Sequence, residues 1–189
     1  RLVSDWSSDV CSSDLMPIDL SLTFADTAPD LGELSELLTE YYGQIQERLM
    51  NVGGPHLSIE TEVRTSLEAI DRFLPPNGAI VLARDSSGFL LGCGFMRMID
   101  SQRAELKRLY VRDLARGFGL GRKLIELRID KAKEMGAKTI YADTVRGNSS
   151  MLALYDRLGF TSTPRYDGNA NDAALDPYLV YRKLDVHVA

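Results

Sequence analysis

Three glycines within five residues, Gly117, Gly119 and Gly121, sit where the period of the chain changes. Ala104 to Val111 before them reads as a strand, and Leu120, Leu124 and Leu127 after them recur at helical spacing toward a stop at Gly136. A glycine loop between a strand and a helix lets backbone approach an anion, because no Cβ stands in the way. The new helix aims its free N–H groups and the positive end of its dipole at the same place. Arg116 and Arg122 flank the loop with fixed charge. Arg116 to Arg122 therefore reads as a phosphate or pyrophosphate cradle.

The spacing narrows the ligand. A Walker loop needs G-x-x-x-x-G-K-[ST], which is absent. A dinucleotide fingerprint starting at Gly117 needs its third glycine at position 122, which is Arg122. Asp143 could mimic the ribose-binding acid of that fold, but the elements before the loop do not have its βαβ order. Leu20 to Phe24 alternates as a strand. Leu31 to Leu49 and Ile59 to Leu74 carry helical periods, separated by the breaker Asn51 to Pro55. Ala79 to Arg84, a turn at Asp85 to Gly88, and Phe89 to Ile99 form a hairpin, which Ala104 to Val111 extends as an antiparallel meander. Beyond the loop helix come a strand over Lys138 to Asp143, a helix from Asn148 to Leu158, a loop near 161–177 and a last strand over Tyr178 to Leu184. With a short strand after Gly159, the order is β-α-α-β-β-β-α-β-α-β-β.

The remaining composition excludes more than it assigns. A net charge of -5 argues against a nucleic-acid partner. No apolar run approaches membrane-spanning length. Cys11 and Cys93 make neither a disulfide framework nor metal spacing, and His56 and His187 are far apart, so no metal and a cytoplasmic setting are expected. Cys93, inside Leu90 to Gly94, reads as buried packing. Arg1 to Leu15 repeats Ser-Asp, lacks the apolar core of a secretory signal, and precedes Met16. A disordered or non-native leader over 1–15 and one domain over 16–189 are expected.

Arg116-x-x-Gly119-x-Gly121 resembles the R/Q-x-x-G-x-G/A motif of the GNAT superfamily of acyl-CoA-dependent N-acyltransferases. Asn148 to Phe160 resembles that family's N-x-x-A-x-x-L-Y-x-x-x-G-F segment, departing from it with Met151 in place of the alanine and Ala153 two positions later. Glu105-x-Lys107-Arg108-x-Tyr110-Val111 looks like a subset of small-molecule acetyltransferases. The likeness spans roughly 18–185 and is densest over 104–160. It implies an α/β (α+β) fold with a mixed central sheet of six to seven strands, about four flanking helices, and a splay between the fourth and fifth strands.

The resemblance also implies the chemistry. Acetyl-CoA would be the cosubstrate, with Leu109, Tyr110 and Val111 offering backbone hydrogen bonds to the pantetheine arm and thioester. Arg116, Gly117, Phe118, Gly119, Leu120, Gly121 and Arg122 would hold the pyrophosphate. Tyr155 matches the tyrosine that protonates the leaving thiolate, and a helix tyrosine packed on the sheet is its plain alternative. Glu105 is the candidate base acting through water, or else a strand carboxylate paired with Lys107 or Arg108. Asn148 caps its helix, binds the cosubstrate, or does both. The segments Tyr41 to Glu60 and Thr161 to Pro177 would build the acceptor pocket. The expected reaction moves an acetyl group to a primary amine of a small molecule or amino acid. A protein N-terminus or lysine as acceptor, and a non-catalytic acyl-CoA-binding module, are the alternatives, and the resemblance admits a homodimer.

Overall fold

The computed structural model describes residues 20–186; the expected leader over 1–15 and Cys11, Met16 and His187 lie outside them. Seven strands form one sheet: β1 (Leu20–Phe24), β2 (Gly78–Asp85), β3 (Leu90–Met98), β4 (Arg103–Val111), β5 (Thr139–Val145), β6 (Thr161–Thr163) and β7 (Leu179–Asp185). Their spatial order is β1-β2-β3-β4-β5-β7-β6. All neighbours are antiparallel except β4 and β5, which run parallel. Four α-helices accompany the sheet: α1 (Leu31–Asn51), α2 (Ile59–Glu68), α3 (Leu120–Glu134) and α4 (Ser149–Arg157). Sheet, helix number and element order are those expected from the sequence.

The central strands are apolar on both faces because helices cover both. On β2, Ile80 and Leu82 join β3 residues Cys93 and Phe95 against Leu34, Leu37 and Leu38 of α1 and Val63 of α2. The alternate residues Val81, Ala83 and Leu91 meet Leu120 and Leu124 of α3. Farther along, Ile125 and Ile129 of α3 and Tyr155 of α4 pack on Met96, Leu106, Ile140 and Ala142. Period-2 strands thus sort their side chains between two helical layers. Side-chain caps set the helix starts: Asp30 accepts from Glu33 N at 2.9 Å and Ser58 from Thr61 N at 3.4 Å.

Three expectations change in detail. The helical period over Ile59 to Leu74 divides: α2 ends at Glu68 and Ile70–Phe73 is a 3-10 turn. The tighter turn buries Ile70, Phe73 and Leu74 together just before Pro75, which disfavours helix in the residue ahead of it. The loop near 161–177 contains β6 and much of a 3-10 helix over Ala173–Tyr178, capped by Asp172, so the last strand starts at Leu179. Asn148 occupies the N-cap position of α4 without a side-chain cap bond: its Oδ1 accepts from Ser150 Oγ at 3.2 Å and its Nδ2 donates to Thr144 Oγ1 at 2.9 Å.

Candidate active site

The site begins with a defect in β4. Phe95 pairs with Lys107 and Cys93 with Tyr110, so Arg108 and Leu109 stand opposite the single residue Gly94. Arg108 adopts φ 48°, the left-handed region that a long side chain enters at a cost. Such a bulge bends its strand and leaves backbone groups unpaired. The pairing of β4 with β5 runs from Arg103↔Thr139 to Leu106↔Ala142 and ends there. Past that register the two strands separate, giving the splay expected between the fourth and fifth strands.

Arg128 of α3 supports the bulge from behind. Its guanidinium is 1% exposed and donates to Leu124 O, Phe95 O and Lys107 O at 2.9, 2.9 and 3.1 Å. A Cβ on Gly94 would lie 2.6 Å from Arg128 Nε, so this position has to be glycine for the arginine to enter. Burial pushes the Arg128 pKa down to about 10, which leaves it charged at neutral pH.

The gap opens into a cavity of about 720 Å³. Leu109, Tyr110 and Val111 of the bulged strand form one wall, and Asn148, Met151 and Tyr155 form the opposite wall. At one end lie Arg116, Gly117 and Gly119 to Arg122. Gly117 and Gly119 have φ of 87° and 76°, and Gly119 caps α3 in the left-handed conformation. No atom lies within 4 Å of a Cβ built at either glycine, so backbone angle and open access, not crowding, call for glycine here. Arg116 is tied down by Nε to Val111 O at 3.0 Å, by Nη2 to Gln44 Oε1 at 3.0 Å and by an ion pair to Asp113 at 2.7 Å. Gln44 Oε1 also accepts from Arg48 Nη2 at 3.3 Å, which brings a further cation of α1 to this end. The other end is bounded by Leu57, by Glu62 and Ser66 of α2, and by Ala170 to Asp172 and Leu175. Both segments expected to build the acceptor pocket contribute to its lining.

Tyr155 lies between the two ends, nearly buried, its ring tilted against Phe160 at 5.1 Å. Desolvation raises its pKa well above the ordinary phenol value, keeping it a proton donor at neutral pH. The plain alternative of sheet packing and cavity exposure are both true of this side chain. Tyr110 donates from Oη to Glu40 at 3.1 Å, and burial followed by the Glu40 charge raises its pKa to about 12. Cys93 is fully buried; burial raises its thiol to about 12, and Sγ donates weakly to Arg108 O at 3.5 Å.

Two residues of the expected set do not line the cavity. Phe118 points outward and is 43% exposed. Glu105 is fully buried, and four hydrogen bonds fill its oxygens. Oε2 accepts from Arg97 Nε at 2.6 Å. Oε1 accepts from Tyr166 Oη, Asn169 Nδ2 and Ala170 N at 2.8, 3.1 and 3.2 Å. Lys107 links this network to the cavity, with Glu105 at 3.8 Å and Asp143 at 3.0 Å. Asp143, which also accepts from Asn169 and Asn171, is a carboxylate that does face the cavity. Lys107 and Asp143 follow the last paired residues of two strands, opposite in charge and next in register, a relation that only the strand pairing reveals.

An open sheet parted beside a glycine-rich helix start is the architecture expected from the resemblance to acyl-CoA-dependent transferases. The chain belongs to the acetyltransferase (GNAT) family, whose model matches residues 34–160. It is an acetyl-CoA-dependent N-acetyltransferase. An uncharacterized N-acetyltransferase of Schizosaccharomyces pombe is 28% identical over 173 residues, covering 91% of this chain and 98% of the relative. An L-methionine sulfoximine/L-methionine sulfone acetyltransferase of Pseudomonas aeruginosa is 35% identical over 85 residues, 43% of this chain and 49% of that protein. Among solved structures, a GNAT family acetyltransferase from Staphylococcus aureus shares the fold with TM-score 0.64 and 22% identity, covering 87% of this chain and 100% of that one. The PaiA N-acetyltransferase of Thermoplasma acidophilum, solved with coenzyme A, does so with TM-score 0.63 and 18% identity, covering 88% and 99%.

Proposed function

We propose that the chain transfers the acetyl group of acetyl-CoA to a primary amine of a small molecule or amino acid by direct attack, within one domain over 16–189. One observation carries the reading: the glycine loop, the β4 bulge and the Tyr155 phenol all border one cavity. In this reading the pyrophosphate rests on the N–H groups opening α3, with Arg116, Arg122 and Arg48 around it. Backbone amides near Tyr110 and Val111 polarise the thioester carbonyl; one such donor is worth about a hundredfold in rate or more. The neutral amine attacks, the C–N bond forms and the C–S bond breaks. The thiolate then takes its proton from Tyr155, which regains one from the cavity solvent. The attacking nitrogen loses its proton to that solvent on the side that Asp143 faces. Glu105, the base expected from the sequence, acts behind it by fixing Arg97 and Lys107. Asn148 fixes the wall through Thr144 and contacts the pantetheine arm.

The relative that acetylates L-methionine sulfoximine supports a small amine acceptor. A cytoplasmic setting fits a protein that carries Cys93 as a free thiol. The test follows free-thiol release from acetyl-CoA across an amine panel, alongside thermal shift with CoA. Thiol release that depends on the amine is expected. Stabilisation by CoA with no release on any amine would support the non-catalytic binder, and release only with peptide amines would support the protein N-terminal or lysine acceptor.

A further inference from the structure

We infer that Arg108 binds the carboxylate of the acceptor, making the substrate a primary amine that also carries a carboxylate, as an α-amino acid does. This rests on the acetyltransferase reading above and narrows it. Several half-buried guanidiniums have a carboxylate within ion-pair distance: Arg84 with Glu33 at 2.6 Å, Arg97 with Glu105 at 2.6 Å and Arg112 with Glu40 at 3.0 Å. Arg108 is also partly buried, yet no carboxylate lies within 4.0 Å of it among the described residues.

Its position is nevertheless fixed on several sides. Nε donates to Tyr42 Oη at 3.2 Å and Ser66 Oγ at 3.1 Å, and these two hydroxyls are 2.7 Å apart. Ser66 in turn donates to Glu62 O at 2.7 Å. The guanidinium carbon lies 4.9 Å from the ring centre of Phe73 and 5.6 Å from that of Phe95. All these anchors use the ring faces or Nε. The two Nη groups have no protein acceptor among the described residues, and Arg108 lines the cavity. A planar donor fork, held by its stem and unpaired at its tip, suits a carboxylate. The left-handed backbone at Arg108 has the same consequence, since the bulge that parts the strands also turns this side chain toward α2.

The remaining charges fit a zwitterion. Glu62 on α2 and Asp143 on β5 face the same cavity and offer the ammonium end a favourable field. Lys107 is already engaged by Asp143 and by Asn171 at 2.7 Å, so it does not compete for the carboxylate.

The test compares glycine, leucine, methionine and phenylalanine, each with its carboxamide and its decarboxylated amine, by thiol release from acetyl-CoA. Amidation makes the amine less basic and so easier to use as the neutral nucleophile. A preference for the acid therefore cannot come from easier deprotonation. The best acid is expected to exceed its carboxamide by about tenfold to a hundredfold in kcat/KM, the range of one charge-assisted contact. Arg108→Gln should collapse that ratio to near unity, chiefly through the KM of the acid, while the KM of acetyl-CoA and the thermal shift with CoA stay as in the wild type. Arg108→Lys should restore part of the ratio. Carboxamides or decarboxylated amines turned over as well as the acids would overturn the inference and leave the acetyltransferase reading in place. So would an equal loss on acid and carboxamide in Arg108→Gln, or no release from any acid while other amines react. No release from any amine, with or without CoA stabilisation, would remove the acetyltransferase reading itself.

Discussion

At one end of the cleft the groups that face the cavity are largely backbone; at the other they are side chains. The glycine-loop end consists of N–H groups opening α3 and two glycines in left-handed conformations, with arginines at the rim. The end near α2 and Ala170 to Leu175 consists of mutually bound side chains: Lys107, Asp143 and Asn171 on one flank, held from behind by Arg97, Glu105 and Asn169, and Tyr42, Ser66 and Arg108 on the other. A backbone site recognises something every cosubstrate molecule shares, and its loop side chains can vary. A side-chain site is sensitive to each residue in it, because removing one member leaves its buried partners unpaired. Substitutions at the two ends should therefore fail in different ways.

The largest effect is expected at Glu105. Glu105→Gln removes a fully buried charge and leaves Arg97 facing an amide that cannot match it. Breaking one side of such a pair costs about 3–5 kcal/mol of stability, readable as a lower denaturation midpoint in urea. The same measurement divides the two roles of Glu105. A normal midpoint with an altered pH–rate profile would make it a base; a lowered midpoint with an unaltered profile makes it a support of the network.

Tyr155→Phe comes next and tests the wall where the two ends meet. Turnover should fall about a hundredfold or more, with the KM of acetyl-CoA within twofold and the fold intact, since the ring that packs on Phe160 is kept. Unchanged turnover would remove Tyr155 from the mechanism. Burial raises the phenol pKa, so the proton-donating form persists above the ordinary value of about 10. The wild type should accordingly show no loss of turnover from Tyr155 ionisation as pH rises from 7 to 10.

The same contrast explains what the sequence disclosed. Gly117 and Gly119 were legible because the backbone angles of a loop are a local demand, written in adjacent residues. Strand periods, helix periods and the order of elements are local as well, and they came through with small shifts at Glu68 and Leu179. The acceptor end joins Glu105 to Asn169, Arg108 to Tyr42 and Arg97 to Gly168, pairs distant in sequence. Nothing near Glu105 in the chain says that four donors surround it. Nor does the run Lys107-Arg108 reveal that one charge is paired and the other is not; only the bulge, which puts the two side chains into different surroundings, decides that. Arg128 reads as an ordinary helix arginine until Gly94 is seen to make room for it.

At the backbone end, Gly119→Val should act on the donor alone. A β-branched residue at φ 76° costs about 1–2 kcal/mol, and relaxing that strain displaces the first N–H groups of α3. The KM of acetyl-CoA should rise about tenfold, and the preference among amines should stay as in the wild type. A change in amine preference would show that the two ends are coupled.

The smallest effect is expected at Phe118 and Arg122, and it defines the backbone end most sharply. Phe118→Ala alters a side chain that points away from the cavity, although it lies between two glycines in left-handed conformations; the KM of acetyl-CoA should be unchanged. Arg122→Ala removes an exposed charge already paired with Glu126 at 2.8 Å, so the KM should rise by only about twofold to threefold, an effect that shrinks further as salt is added. A tenfold rise in either variant would mean that the loop grips acetyl-CoA with side chains after all, and the contrast between the two ends would fail where it is now clearest.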